Sequence, residues 1–212
     1  MRPKAGGGWT EKILHNFNTD RKDGYYPETA ALTIDASGNL YGTTPLGGTT
    51  LTCFGGCGTV YELTPKAGGK WRERILHSFD THGKGHIPLA GVIFDVAGNL
   101  YGTTSEGGGG KLCNPHTGCG TVYELTPKAG GNYWTQTVLY SFDENSGDGY
   151  SPIADLTFDA AGNLYGTTEY GGDSVGGTVF ELTPKAGGGW MEMILHSFRA
   201  ARTGSFLWAG WP

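Results

Sequence analysis

The stretch GNLYGTT at residues 38–44 returns letter for letter at 98–104 and again at 162–168. Self-similarity at a fixed period is the mark of a repeat architecture, so the text on either side of each copy decides the fold. Upstream of each copy stands a short apolar run that ends in an Asp-containing turn, ALTIDASGN from 31, GVIFDVAGN from 91 and DLTFDAAGN from 155. Downstream come GTVYELTPKAGG at 58–69 and 120–131 and GTVFELTPKAGG at 177–188. A Trp-led segment closes each set: WTEKILHNF from 9, WRERILHSF from 71, WTQTVLYSF from 134 and WMEMILHSF from 190. Equivalent residues lie roughly 60 apart. Every block is rich in Val, Ile, Leu, Thr, Tyr, Phe and Trp, is bounded by Gly, Pro, Asn or Asp, and is too short for a typical helix, which is how strands read. In the D-x-x-G-N turn, Gly98 can take the left-handed conformation while Asp95 or Asn99 bonds the local backbone. Pro65 ends its strand because it has no N–H to donate. The expectation is an all-β chain built of four-stranded antiparallel meanders, about three of them, of β-propeller type. An open stack of meanders is the alternative.

Composition narrows the function classes. The chain has 39 glycines but no strict Gly-X-Y period, so it is not collagen-like. Its net charge is −5 and its lysines are scattered, which offers no attraction to a phosphate backbone, and no nucleic-acid partner is expected. No run of about 18 apolar residues is present, so no membrane span is expected. The opening MRPKAGGGWTEK has no apolar core of a signal peptide, and Pro3 to Gly8 already belongs to the repeat.

The blocks GNLYGTT, GTVFELTP, GGGWMEMILHSF and DGYSPIADLTFDAAGN together resemble the GloVer (Gloeo/Verruco) repeat of large extracellular bacterial proteins. The resemblance runs from Pro3 to Phe198. The P-x-A-G-x-x-x-D-x-x-G-N-L-Y rhythm is more loosely similar to NHL-type and gluconolactonase-like propeller blades. What this implies is a secreted or cell-surface location; the family carries no generally assigned activity. Repeat units are expected at about 9–69, 70–131 and 132–198, within a repeat region 1–198, followed by a non-repeat tail at 199–212.

The copy number poses a problem, because about three blades do not close a ring and known propellers have at least four. Two solutions are expected: a homodimer whose two arcs close a six-bladed ring, or a fragment of a longer repeat protein. After Phe198 the text RAARTGSFLWAGWP departs from the repeat, which favours the second.

Cys53/Cys57 and Cys113/Cys119 both stand in the loop after GNLYGTT, and the third copy has neither cysteine of the pair. Loss of both partners together predicts a disulfide within each loop, hence an oxidising compartment. A zinc site helped by His116 and free thiols are the alternatives, and the spacings do not match C-x-x-C pairs. His15, His77 and His196 are equivalent, with Tyr140 in the fourth place, and are read as structural. So are the recurring Glu62, Glu124 and Glu181 and the recurring Asp35, Asp95 and Asp159. No metal and no cofactor are expected, and no catalytic motif such as G-x-S-x-G or H-E-x-x-H is present. The functional candidates are the loops that vary while the strands stay alike, in particular Asp80, His82, His86, His116, Asp143, Asp148, Tyr150, Tyr170 and Asp173. The expected role is non-catalytic binding or display, with carbohydrate or another cell-surface component as ligand. The competing readings are a metal-dependent lactonase- or lyase-like propeller enzyme and a structural spacer within a larger protein.

Overall fold

The computed structural model describes residues 2–199 apart from 5, 19–22, 28–29, 51, 111–112, 114–117, 129, 131–133 and 145–146. Its framework is three antiparallel four-stranded sheets whose strands follow one another in chain order. The first holds β1 (Thr33–Ile34), β2 (Leu40–Thr44), β3 (Thr59–Pro65) and β4 (Trp71–Ser78). The second holds β5 (Ile93–Phe94), β6 (Leu100–Thr104), β7 (Thr121–Pro127) and β8 (Trp134–Ser141). The third holds β9 (Thr157–Phe158), β10 (Leu164–Thr168), β11 (Val175–Pro184) and β12 (Trp190–Arg199). The all-β meander read from the repeated blocks is thus the fold that forms.

Each hairpin between the first two strands of a sheet is built as its residues require. Asp95 Oδ1 accepts the backbone N–H groups of Ala97 and Asn99 at 2.9 and 2.8 Å, and Gly98 stands at φ +86°, where a side chain would be strained. GNLYGTT contributes the second strand, whose central glycine lies under a ring: a Cβ on Gly102 would stand 2.5 Å from Tyr123 Oη. Between the third and fourth strands the register shifts by one, so that Val60 faces His77 while Tyr61 faces Ile75. The extra residue, Leu76, is a β-bulge and is buried in the core.

The sheets stack through two apolar layers. Tyr41, Val60 and Leu76 of the first sheet meet Val92, Leu100, Tyr123 and Leu125 of the second, and Tyr101, Val122 and Phe142 meet Leu156, Leu164, Phe180 and Leu182 of the third. Each layer turns on the Phe after the Trp-led strand. Phe79 and Phe142 lie edge-on to Tyr123 and Phe180, at 5.2 Å in both cases. Phe17 meets Tyr61 in the same way at 5.0 Å.

The first Trp-led segment departs from expectation. Only Trp9–Thr10 pairs as a strand, with Arg2–Pro3, and residues 11–18 form none. Its equivalents pair with a GTVYEL or GTVFEL strand over their length. The tail from residue 200 onward lies outside the described residues.

Candidate functional site

Antiparallel order puts unlike material at the two ends of each sheet. The D-x-x-G-N hairpins and the P-K-A-G-G turns share one end, with nearly the same text in every copy. There Tyr41 Oη lies 3.1 Å from Asp35 Oδ2 and 2.9 Å from Glu62 Oε1. Tyr101 and Tyr165 bridge Asp95 to Glu124 and Asp159 to Glu181 in the same way. Burial, and then the bond to the neighbouring Glu, push the Tyr41 and Tyr101 phenols up from their ordinary range. Each tyrosine thus pins its hairpin to the third strand, and the carboxylates that recur in the sequence are occupied by this contact.

The other end carries the variable loops. Both disulfides are closed there, Cys53 to Cys57 and Cys113 to Cys119, with Cys57 and Cys119 almost fully buried. Each is tied to the next repeat by a backbone bond: Ile87 N–H donates to Cys57 O at 3.0 Å and Ser151 N–H to Cys119 O at 2.8 Å. Ile87 and Ser151 hold φ +56° and the equivalent Tyr26 φ +62°, a region costly for side chains and above all for a β-branched one.

Beside these strained residues the loops face one another in cross-strand pairs that differ in every copy. Tyr25 pairs with Leu46. His86 Nε2 meets Glu106 Oε2 at 3.2 Å. Tyr150 stacks on Tyr170 with ring centres 5.4 Å apart. His86 is 5% exposed, and among the described residues its Nδ1 has no hydrogen-bond partner. His86 and Glu106 line a cleft of about 230 Å³ together with Thr52, Cys53, Phe54 and Thr81. The Phe54 ring, at the tip of the disulfide loop, is fully exposed.

The remaining described candidates fall at the same end without joining that cleft. Asp80 and His82 pair with each other at 3.1 Å on the surface. Asp148 is buried and accepts the Tyr140 hydroxyl at 2.8 Å and the Asp143 and Gly149 N–H groups at 3.0 and 2.6 Å. Burial nevertheless outweighs these bonds and raises its pKa. Asp173 lines a shallow depression with Gly147 and His196, and His116 lies outside the described residues. The equivalent residues His15, His77, Tyr140 and His196 each lie edge-on to the Phe two positions on. Burial holds His77 down at about 4.

Comparison of the histidines with one another concealed one cluster. His15 Nε2 stands 3.0 Å from Asp23 Oδ2, and one ligand atom each from His15, Asp23 and Glu73 lie within 4.8 Å of one another. No single block contains all three, so the signal would have been the alignment of these positions across copies.

An array of antiparallel four-stranded sheets with variable loops at one end defines an all-β tandem-repeat protein. The family model of the Gloeobacter/Verrucomicrobia repeat matches residues 2–209, and the chain belongs to that family. A search of curated proteins finds no match.

Proposed function

We propose that the chain is a secreted or surface-associated binding module of β-propeller type, each sheet serving as one blade, whose loop end holds a carbohydrate or other cell-surface ligand. The observation that carries this reading is the cleft between the first disulfide loop and the second repeat. It offers an exposed aromatic face, Phe54, and an accepting carboxylate, Glu106, held by the His86 imidazole. Few convergent polar groups beside an aromatic ring are what a ligand of many hydroxyls requires. Two closed disulfides agree with an oxidising compartment. The non-catalytic reading is supported by the uniform use of the recurring Asp and Glu residues as hairpin clamps. The test is a glycan array followed by calorimetry on any sugar retained. Retention that Phe54→Ala and Glu106→Gln abolish supports the reading. No retained glycan, or retention indifferent to both changes, overturns it.

The module closes, in this reading, by pairing with a second copy. At one end of the array Leu32 and Ile34 are 55% and 65% exposed, and at the other Leu195 and Phe198 are each 46% exposed. Their equivalents Val92, Leu76 and Phe79 are buried at the internal junctions, so these surfaces match another repeat unit. Light scattering on the non-reduced chain tests this: twice 22.4 kDa supports ring closure by two copies, and a single chain mass refutes it.

A further inference from the structure

Three side chains recur at each junction between repeats: the seventh residue of one Trp-led segment, the residue before the loop glycine, and the third residue of the next Trp-led strand. They read His15, Asp23 and Glu73 at the first junction, His77, Lys84 and Gln136 at the second, and Tyr140, Asp148 and Glu192 at the third. The acids keep company. Where the middle position is Asp the last is Glu, and where it is Lys the last is Gln. Two carboxylates drawn into one partly buried place repel each other unless a proton or a cation sits with them.

The third junction shows what this costs without an imidazole. Glu192 Oε1 is sealed from solvent with no hydrogen-bond partner among the described residues, and burial, then the charge of Asp148, push its pKa up to about 7. Tyr140 answers only Asp148, by its hydroxyl bond. At the second junction the carboxylates are absent; Gln136 Nε2 donates to Lys84 O at 2.8 Å.

The first junction replaces the phenol by an imidazole, which has a lone pair to offer. The 3.0 Å between His15 Nε2 and Asp23 Oδ2 is a hydrogen-bond distance; two ligands of a tetrahedral zinc ion, each about 2.1 Å from it, stand about 3.4 Å apart, so a shift of a few tenths of an ångström would let an ion take the place of the proton between them. Glu73 completes the set within 4.8 Å, and a side-chain shift of up to about 1.4 Å would bring it to bonding distance of the same ion. The Asp23 carboxylate is oriented from outside. Asn18 N–H and Nδ2 donate to Oδ2 at 3.3 and 3.2 Å, and Gly24 N–H donates to Oδ1 at 2.8 Å. Such outer bonds are what fix a metal-bound carboxylate. One nitrogen and two carboxylate oxygens suit a first-row transition ion better than Ca²⁺ or Mg²⁺, which take oxygen ligands.

We propose that His15, Asp23 and Glu73 bind a divalent transition ion of the Zn²⁺ class, which clamps the segment carrying His15 to the first sheet. The site stands independently of ligand binding at the loop cleft. The test is Zn²⁺ titration by calorimetry on the untagged, EDTA-treated full chain, with Co²⁺ absorption reporting the ligand field. The chain as it stands should take up one ion. Asp23→Lys with Glu73→Gln copies the pair that the second junction already accommodates, so it should fold, as circular dichroism will show, and take up none. Lys84→Asp with Gln136→Glu supplies the missing carboxylates beside His77 and should raise the count to two. No uptake by the unaltered chain, or one ion still bound by the Asp23/Glu73 double variant, overturns the assignment; the second result would send the ion to Asp80 and His82.

Discussion

Replacing Phe142 and Phe198 by alanine in parallel tests whether the sheets are held by the ring that each Trp-led strand hands to its successor. The two residues close the same block, yet Phe142 is 0% exposed and Phe198 46% exposed. Phe142 lies edge-on to Phe180 at 5.2 Å, inside a layer that also contains Val122, Leu164 and Leu182. Full burial of a Phe side chain is worth about 1.5–3 kcal/mol by transfer. The cavity left behind brings the usual cost of truncation to about 3–5 kcal/mol. For Phe198 about half the transfer term applies and no closed cavity forms, so about 1 kcal/mol is expected. The assay is urea unfolding followed by tryptophan fluorescence, at a protein concentration where light scattering gives the mass of one chain. A loss of 3–5 kcal/mol corresponds to a fall in Tm of about 6–20 °C for a chain of this size. Because each repeat is stabilised by its neighbours, Phe142→Ala should also broaden the transition as the third sheet detaches first. A cost below about 1 kcal/mol at Phe142, or equal costs at both positions, would refute the stacked-sheet argument.

Four further outcomes follow from single contacts. Tyr123 Oη is buried without a hydrogen-bond partner among the described residues, and the third copy has Phe180 at that place; Tyr123→Phe should therefore be neutral or stabilise the chain by about 1 kcal/mol in the same unfolding assay, whereas Tyr101→Phe, which strips the bonds to Asp95 and Glu124, should cost about 1–2 kcal/mol. A Cβ on Gly149 would stand 2.2 Å from Thr168 Oγ1, so Gly149→Ala should cost about 1–3 kcal/mol as overpacking, while Gly162→Ala meets no atom but must hold φ +86° and should cost about 1 kcal/mol. His77, partly buried and near Asp80, Gln136 and Lys84, has its pKa held down at about 4; the unfolded chain then binds the proton more readily, so stability present above pH ~6.5 is lost as pH falls toward 4, by about 2–3 kcal/mol, and His77→Gln should flatten that slope in unfolding measured across the window. Converting Cys53 and Cys57 together to serine should cost about 2 kcal/mol, read from the shift of the urea midpoint between oxidised parent and variant.

What could be read from the sequence was whatever repeats. The glycine under the Tyr123 ring and the Asp95 turn announce themselves because the same backbone problem is solved with the same residue in each copy, and the loop cysteines because two copies hold both and the third neither. The strand boundaries were less legible. ALTIDASGN reads as a full strand, yet only Thr33–Ile34 pairs, because the rest of the block is spent on the approach and on the turn. The site is harder, since repetition hides it. Comparing His15 with His77 and His196 averages away what distinguishes them, and the difference resides in partners drawn from other blocks, Asp23 and Glu73. His86 was visible as a loop histidine, but its pairing with Glu106 depends on a cross-strand contact made by two loops, and its neighbour Phe54 belongs to the preceding repeat. Both features lie where one unit touches the next. In a repeat protein the scaffold is therefore encoded by agreement between copies, and the chemistry by the junctions at which they disagree: aromatic, ionic and stacked pairs along one loop end, and acidic or basic trios beneath it.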